Sequence, residues 1–101
     1  MNKLITNNID KIREVCSRHF VSTLYVFGSV TTDRFNDNSD VDMLVSFKPM
    51  DHADYADNYF ATAEQLEQIF NRPVDLVTEP SLKNPYFIKS VNQTKQLLYG
   101  T

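Results

Sequence analysis

The run Val41-Asp42-Met43-Leu44-Val45-Ser46-Phe47 is an apolar strand with a carboxylate inside it. Its β-branched and aromatic residues suit a pleated, half-buried surface, and Pro49 stops it. An acid in such a run is costly unless it sits at an edge facing water or is compensated by a partner. The same problem recurs in Val74-Asp75-Leu76-Val77. A third apolar run, Leu24 to Phe27, ends on Gly28-Ser29, and a polar loop then leads to Ser39-Asp40. The fold must accommodate two acid-bearing strands and a glycine-terminated one.

The rest of the pattern is α/β. Ile9, Ile12, Val15 or Cys16, and Phe20 recur at helical spacing, predicting a helix from about Thr6 to His19 with Asn7 or Asn8 as its cap. Val21 to Phe27 reads as a strand, residues 31–38 as turn chemistry with a short helical turn after Gly28, and Val41 to Phe47 as a second strand. Tyr55, Tyr59, Ala63, Leu66 and Ile69 or Phe70 trace one face of a long helix over Ala53 to Phe70. Asp51 can cap it, and Asn71-Arg72-Pro73 ends it. Val74 to Thr78 is a third strand, Tyr86 to Val91 a short helix, and Gln96 to Tyr99 a last short strand. The expected fold class is a small α/β (α+β) domain, and at 101 residues one domain spanning 1–101 is the natural count.

Composition narrows the function. A net charge of −3, with the Lys and Arg residues scattered, argues against the basic footprint of nucleic-acid binding. No apolar run approaches the roughly 20 residues of a membrane helix, so no membrane partner is expected. The first residues lack the pattern of a secretory signal, and Cys16 cannot form an internal disulfide, which points to a cytoplasmic setting.

Residues two apart on a strand share a face, so Asp40 and Asp42 lie together, with Val41 and Met43 opposite. If the third strand lies alongside, Asp75 joins them. Three carboxylates so placed repel one another, and at least one would take up a proton unless a cation intervenes. Hard oxygen ligands suit Mg²⁺, with waters and substrate phosphates completing its octahedron. Gly28-Ser29 supplies the complementary half, because glycine admits a close ligand, the following N–H groups can hold an anion, and Ser29 adds a hydroxyl. A phosphate held there, beside metals held by aspartates, suits nucleotidyl transfer.

These residues resemble the polymerase-beta-like nucleotidyltransferase superfamily, and more narrowly the minimal nucleotidyltransferases, often antitoxins encoded beside a helical HEPN-domain toxin. The likeness is carried by Gly28-Ser29, by Ser39-Asp40-Val41-Asp42-Met43-Leu44-Val45, by Asp75, by the Asn84-Pro85-Tyr86 loop and by the closing Leu98-Tyr99-Gly100. It implies a small mixed sheet flanked by helices, two Mg²⁺ ions and a nucleoside triphosphate, usually ATP. It implies Asp40, Asp42 and Asp75 as metal ligands and catalytic residues, with Gly28, Ser29 and Ser39 at the nucleotide. Some members transfer AMP to a tyrosine of the partner toxin. Two positions depart from the family pattern. Thr32 stands where many members have arginine, and Asp33 where they have glycine, leaving Arg34 as a substitute cation.

Competing readings attach to the same residues. Asp40 with Ser39 could cap a turn, Asp42 could face water at an edge, and Asp75 could pair with Arg72 or a lysine. Asp51, Asp54 and Asp57 read as a solvated helix start, and His19 and His52 as surface or cap residues. Cys16, Tyr55, Tyr59 and Phe60 are expected in the core, and Tyr86 and Phe87 at an exposed interface. Beside the enzyme stand a binding module that neutralises its partner stoichiometrically and a structural domain without ligand.

Overall fold

The computed structural model describes residues 2–100. A short helix α1 (Lys3–Thr6) precedes α2 (Ile9–Arg18). Strand β1 (Val21–Phe27) runs into a 3₁₀ turn (Gly28–Thr31), and a loop leads to β2 (Val41–Phe47). Helix α3 (His52–Phe70), strand β3 (Val74–Thr78), a second 3₁₀ turn (Glu79–Ser81), helix α4 (Pro85–Thr94) and strand β4 (Gln96–Tyr99) follow. The four strands form one mixed sheet in the order β3-β2-β1-β4. β1 is antiparallel to both β2 and β4, and β2 is parallel to β3.

The strands fall where the apolar runs predict them, and two helices differ. The helix expected over Thr6 to His19 is α2, which starts later, at Ile9, and a separate short helix α1 precedes it. Asn2 caps α1 by accepting from the Leu4 N–H at 2.7 Å, while Asn8 ends that turn by donating its side-chain amide to the Leu4 carbonyl. Asn8 therefore occupies the cap position of α2 without capping it. Helix α4 is longer than Tyr86 to Val91, because Asn84 caps it, Pro85 starts it, and it continues to Thr94. The Asp51 cap of α3 forms as expected, accepting from the Asp54 N–H at 2.8 Å.

One face of the sheet is sealed. Val41, Met43 and Val45 of β2, Leu24 and Val26 of β1 and Leu76 of β3 meet Ile12, Val15 and Cys16 of α2 and Leu66 and Phe70 of α3. The i, i+3, i+4 spacing on α2 puts its three residues on one stripe. The opposite face is thinly covered. There Phe27, Leu44 and Val91 form a small cluster under α4, joined by Tyr25, Val77 and Leu82. The outer edge of β3 is closed by α3, whose Glu67 carboxylate accepts from the Val74 N–H and whose Tyr59 hydroxyl donates to the Leu76 carbonyl. An unpaired strand edge is thereby blunted.

Candidate active site

The strand register assembles the motif residues. In the parallel β2–β3 pair, Asp42 stands beside Asp75, so the two side chains share the thinly covered face. In the antiparallel β1–β2 pair, Phe27 stands beside Asp42, so Gly28 follows next to that carboxylate. Both parallel strands begin at the rim where β1 ends. That rim therefore collects Gly28-Ser29, Asp40-Val41-Asp42 and Asp75 from three separate stretches of chain.

Gly28 is required there on two counts. Its φ is +75°, a left-handed conformation that side chains disfavour, and an added Cβ would lie 2.7 Å from Asp42 Oδ2. Its N–H donates to the Thr94 hydroxyl at 3.0 Å, and that hydroxyl donates to the Ser90 carbonyl. The Gly28 N–H is thus taken by α4, and Ser29 and the residue after it stand at the start of the 3₁₀ turn without a side-chain cap. The Phe27 and Phe87 rings meet edge to face, with centroids 5.9 Å apart, as a second contact between α4 and this strand end.

Arg72 braces the loop that leads to the acids. Its guanidinium donates to the carbonyls of Asn36 and Ser39, each at 3.0 Å, and lies over the Phe35 ring at 4.7 Å. The alternative pairing of Asp75 with Arg72 is therefore replaced by a clamp on the segment preceding Asp40. Ser39 joins the same clamp, its hydroxyl oxygen accepting from the Asn36 N–H at 3.1 Å. Neither Thr94 nor Arg72 was legible as a site residue, since each acts through contacts between segments far apart in sequence. The only local signal was the Arg72-Pro73 break before an acid-bearing strand.

Asp42 is half-buried, and Asp40 and Asp75 are exposed. The Asp42 carboxyl is raised above its ordinary value by burial first, then by the charge of Asp75, then by that of Asp40. The Tyr59 phenol is raised as well, by burial, then by Asp75 and Tyr55. Among the described residues, no three His, Cys, Asp or Glu side chains converge tightly enough to grip a metal ion. The acids are neighbours rather than a closed shell, as like charges facing water should be. Their chemistry nevertheless fits a hard divalent cation, since the donors are all carboxylate oxygens and the central one bears unrelieved repulsion.

Other expectations sort plainly. Cys16 is buried, and its thiol is pushed up to about 12 by burial. Phe60 is not in the core but 68% exposed, because it lies off the α3 stripe that meets the sheet. Tyr55 and Tyr59 are only half-buried. His19 is half-buried at the end of α2 beside Asn58, and His52 is exposed. Thr32 and Asp33 are exposed, with the Thr32 hydroxyl turned back onto the Ser29 carbonyl. A groove of about 510 Å³ opens beside Asp75, between α3 and β3. Another of about 550 Å³ between α2 and α3 includes none of the motif residues.

Known proteins resemble this chain along most of its length. A curated relative from Methanocaldococcus jannaschii, named "Putative protein adenylyltransferase MJ1379", is 29% identical over 93 residues, covering 84% of this chain and 92% of its own. Among solved structures, a minimal nucleotidyltransferase superposes with a TM-score of 0.68 at 26% identity over 95% of both chains. A chain of a toxin-antitoxin crystal structure with AMP-PNP gives a TM-score of 0.70 at 25% identity, covering 93% of this chain and 74% of that one. The model of the nucleotidyltransferase domain matches residues 9–98. The mixed sheet flanked by helices is shared with these solved structures, and the chain belongs to the nucleotidyltransferase domain family.

Proposed function

We propose that this protein moves AMP from ATP onto a hydroxyl with Mg²⁺, and that the acceptor is a tyrosine of a helical HEPN-type partner, which it silences as an antitoxin. The single observation that carries the chemistry is the side-by-side register of Asp42 and Asp75 next to Gly28. The AMP-PNP in the similar toxin-antitoxin structure and the name of the archaeal relative support the nucleotide and the protein acceptor.

In this reading Gly28 and Ser29 admit and bind the β- and γ-phosphates, and Ser39 holds the loop against the nucleotide. Asp40 and Asp42 hold two Mg²⁺ ions, and Asp75 holds the catalytic one. The metal supplies charge neutralisation and lowers the proton affinity of the acceptor hydroxyl. Asp75 accepts the proton of that hydroxyl, for which it must come within hydrogen-bond reach. The acceptor oxygen bonds to the α-phosphorus, the bond to the bridging oxygen breaks, and its electron pair leaves with pyrophosphate. Incubation with α-labelled ATP, Mg²⁺ and the protein encoded beside it tests this. Label should pass to the partner and be lost in Asp40→Ala. Equal labelling by that variant would sink the assigned role.

One observation favours a second reading. With Thr32 and Asp33 in place of an arginine and a glycine, a cation facing the phosphates is missing from its usual place, and Arg34 is exposed. A module that neutralises its partner by stoichiometric binding alone would tolerate this. Asp75→Asn separates the readings: an enzyme loses neutralisation, and a pure binder keeps it.

A further inference from the structure

Strand order sets the direction from which the second substrate arrives. Across the rim, Gly28 lies on β1, Asp42 on β2 and Asp75 on β3. The Asp42 carboxylate occupies the space a Cβ on Gly28 would need, so no second substrate fits between them. With the triphosphate on the β1 side, the attacking oxygen must lie opposite the leaving pyrophosphate, on the β3 side. There the groove between α3 and β3 ends on Asp75. Its lining includes Tyr55, Ala56, Tyr59, Phe60 and Val77 and is mostly apolar. Tyr59 and Phe60 meet edge to face at 5.4 Å, yet Phe60 leaves most of its surface in water. A large exposed aromatic on a groove that leads to a reactive group marks a contact site.

The backbone edge of β3 is not what this groove offers. Tyr59 and Glu67 already occupy the Leu76 carbonyl and the Val74 N–H. A partner gains side-chain contacts here rather than a strand-to-strand ladder. The occupant must also end in a hydroxyl at Asp75 while filling an aromatic-lined trough, and tyrosine meets both demands.

We infer that the α3–β3 groove is the acceptor site, seating a tyrosine of a partner protein with apolar flanking residues across Phe60 and Tyr59 and its hydroxyl at Asp75. This rests on the transfer reading above. The positions that set acceptor affinity are Phe60 and Ala56, which line the groove from α3.

The probes are two synthetic peptides, each with one central tyrosine, flanked by leucines in one and by serines in the other. Both are assayed with labelled ATP and Mg²⁺. The native protein should label the leucine-flanked peptide at a KM at least tenfold lower. Phe60→Ala and Ala56→Glu should raise that KM about tenfold and narrow the gap between peptides, with kcat at saturation kept. Leu97→Ala, at the opposite edge of the sheet, should change neither. Transfer whose KM ignores the flanks and both groove variants would overturn the groove. No transfer to either peptide by the native protein would overturn the tyrosine-transfer reading itself, and this inference with it.

Discussion

Met43 and Asp42 are neighbours on β2 and face opposite ways. Val41, Met43 and Val45 are sealed between the sheet and α2 and α3. Asp42 stands half-buried on the other side, beside the small cluster of Phe27, Leu44 and Val91 under α4. The first face gains stability from apolar area removed from water, at about 25 cal/mol per Å². The second forgoes that gain, holding a charge whose proton affinity is raised by burial and by two like charges. One strand therefore divides a sealed apolar face from a carboxylate-bearing one by alternation alone, and a one-residue slip would exchange them.

Two adjacent substitutions should separate these faces most sharply. Met43→Ala should cost about 2–5 kcal/mol of folding stability, measured by urea denaturation, while molecules that remain folded keep their transfer rate. Asp42→Asn should do the reverse. Transfer should fall about 10²–10³-fold, the range for removing one preorganised electrostatic group, with the unfolding midpoint unchanged or raised. A stability loss in Asp42→Asn comparable to that in Met43→Ala would show that the acid is structural.

Gly28 is where the two faces touch. Its left-handed backbone ends a core strand, and its bare Cα accommodates the Asp42 carboxylate. Gly28→Ala should therefore harm both properties. Left-handed backbone costs an alanine about 1–2 kcal/mol, and the Cβ would displace Asp42 besides. The measurement is stability and transfer in one variant. A loss of stability with transfer intact would show that the Asp42 position is not set by this contact.

The same comparison explains what could be read from the sequence. The sealed face is built from runs such as Val21–Phe27 and Val41–Phe47, whose composition and punctuation give the strands directly. The three acids were legible because a charge inside an apolar run is conspicuous. Their meeting was conditional on β3 lying alongside β2, which no residue in either strand states. Thr94 and Arg72 were illegible for the same reason: each grips a backbone group 66 or 33 residues away, with a common side chain in an unremarkable setting. Phe60 misled because aromatic character predicts burial only when helical phase agrees. Asn8 misled because a nearer turn claimed its side chain.

The smallest effects should appear in how stability follows pH, and they differ between the faces. Both Asp42 and Cys16 bind their protons more tightly in the folded chain. Asp42 is raised from an ordinary 3.8, and Cys16 from 9.0 to about 12. Where the folded state holds more protons than the unfolded one, stability falls as pH rises. The Asp42 contribution should therefore decline as pH climbs above 3.8, and the Cys16 contribution as pH climbs from 9 towards 12. Urea midpoints across pH, taken as differences between the native chain and Asp42→Asn or Cys16→Ala, isolate each limb. The two causes differ, however. Cys16 is raised by burial alone, and no solute should change its limb. Asp42 is raised partly by Asp75 and Asp40, so Mg²⁺ with AMP-PNP should offset that part and flatten the acid limb while leaving the alkaline one. An acid limb indifferent to Mg²⁺ would mean that the rim of carboxylates holds no cation, whatever else it does.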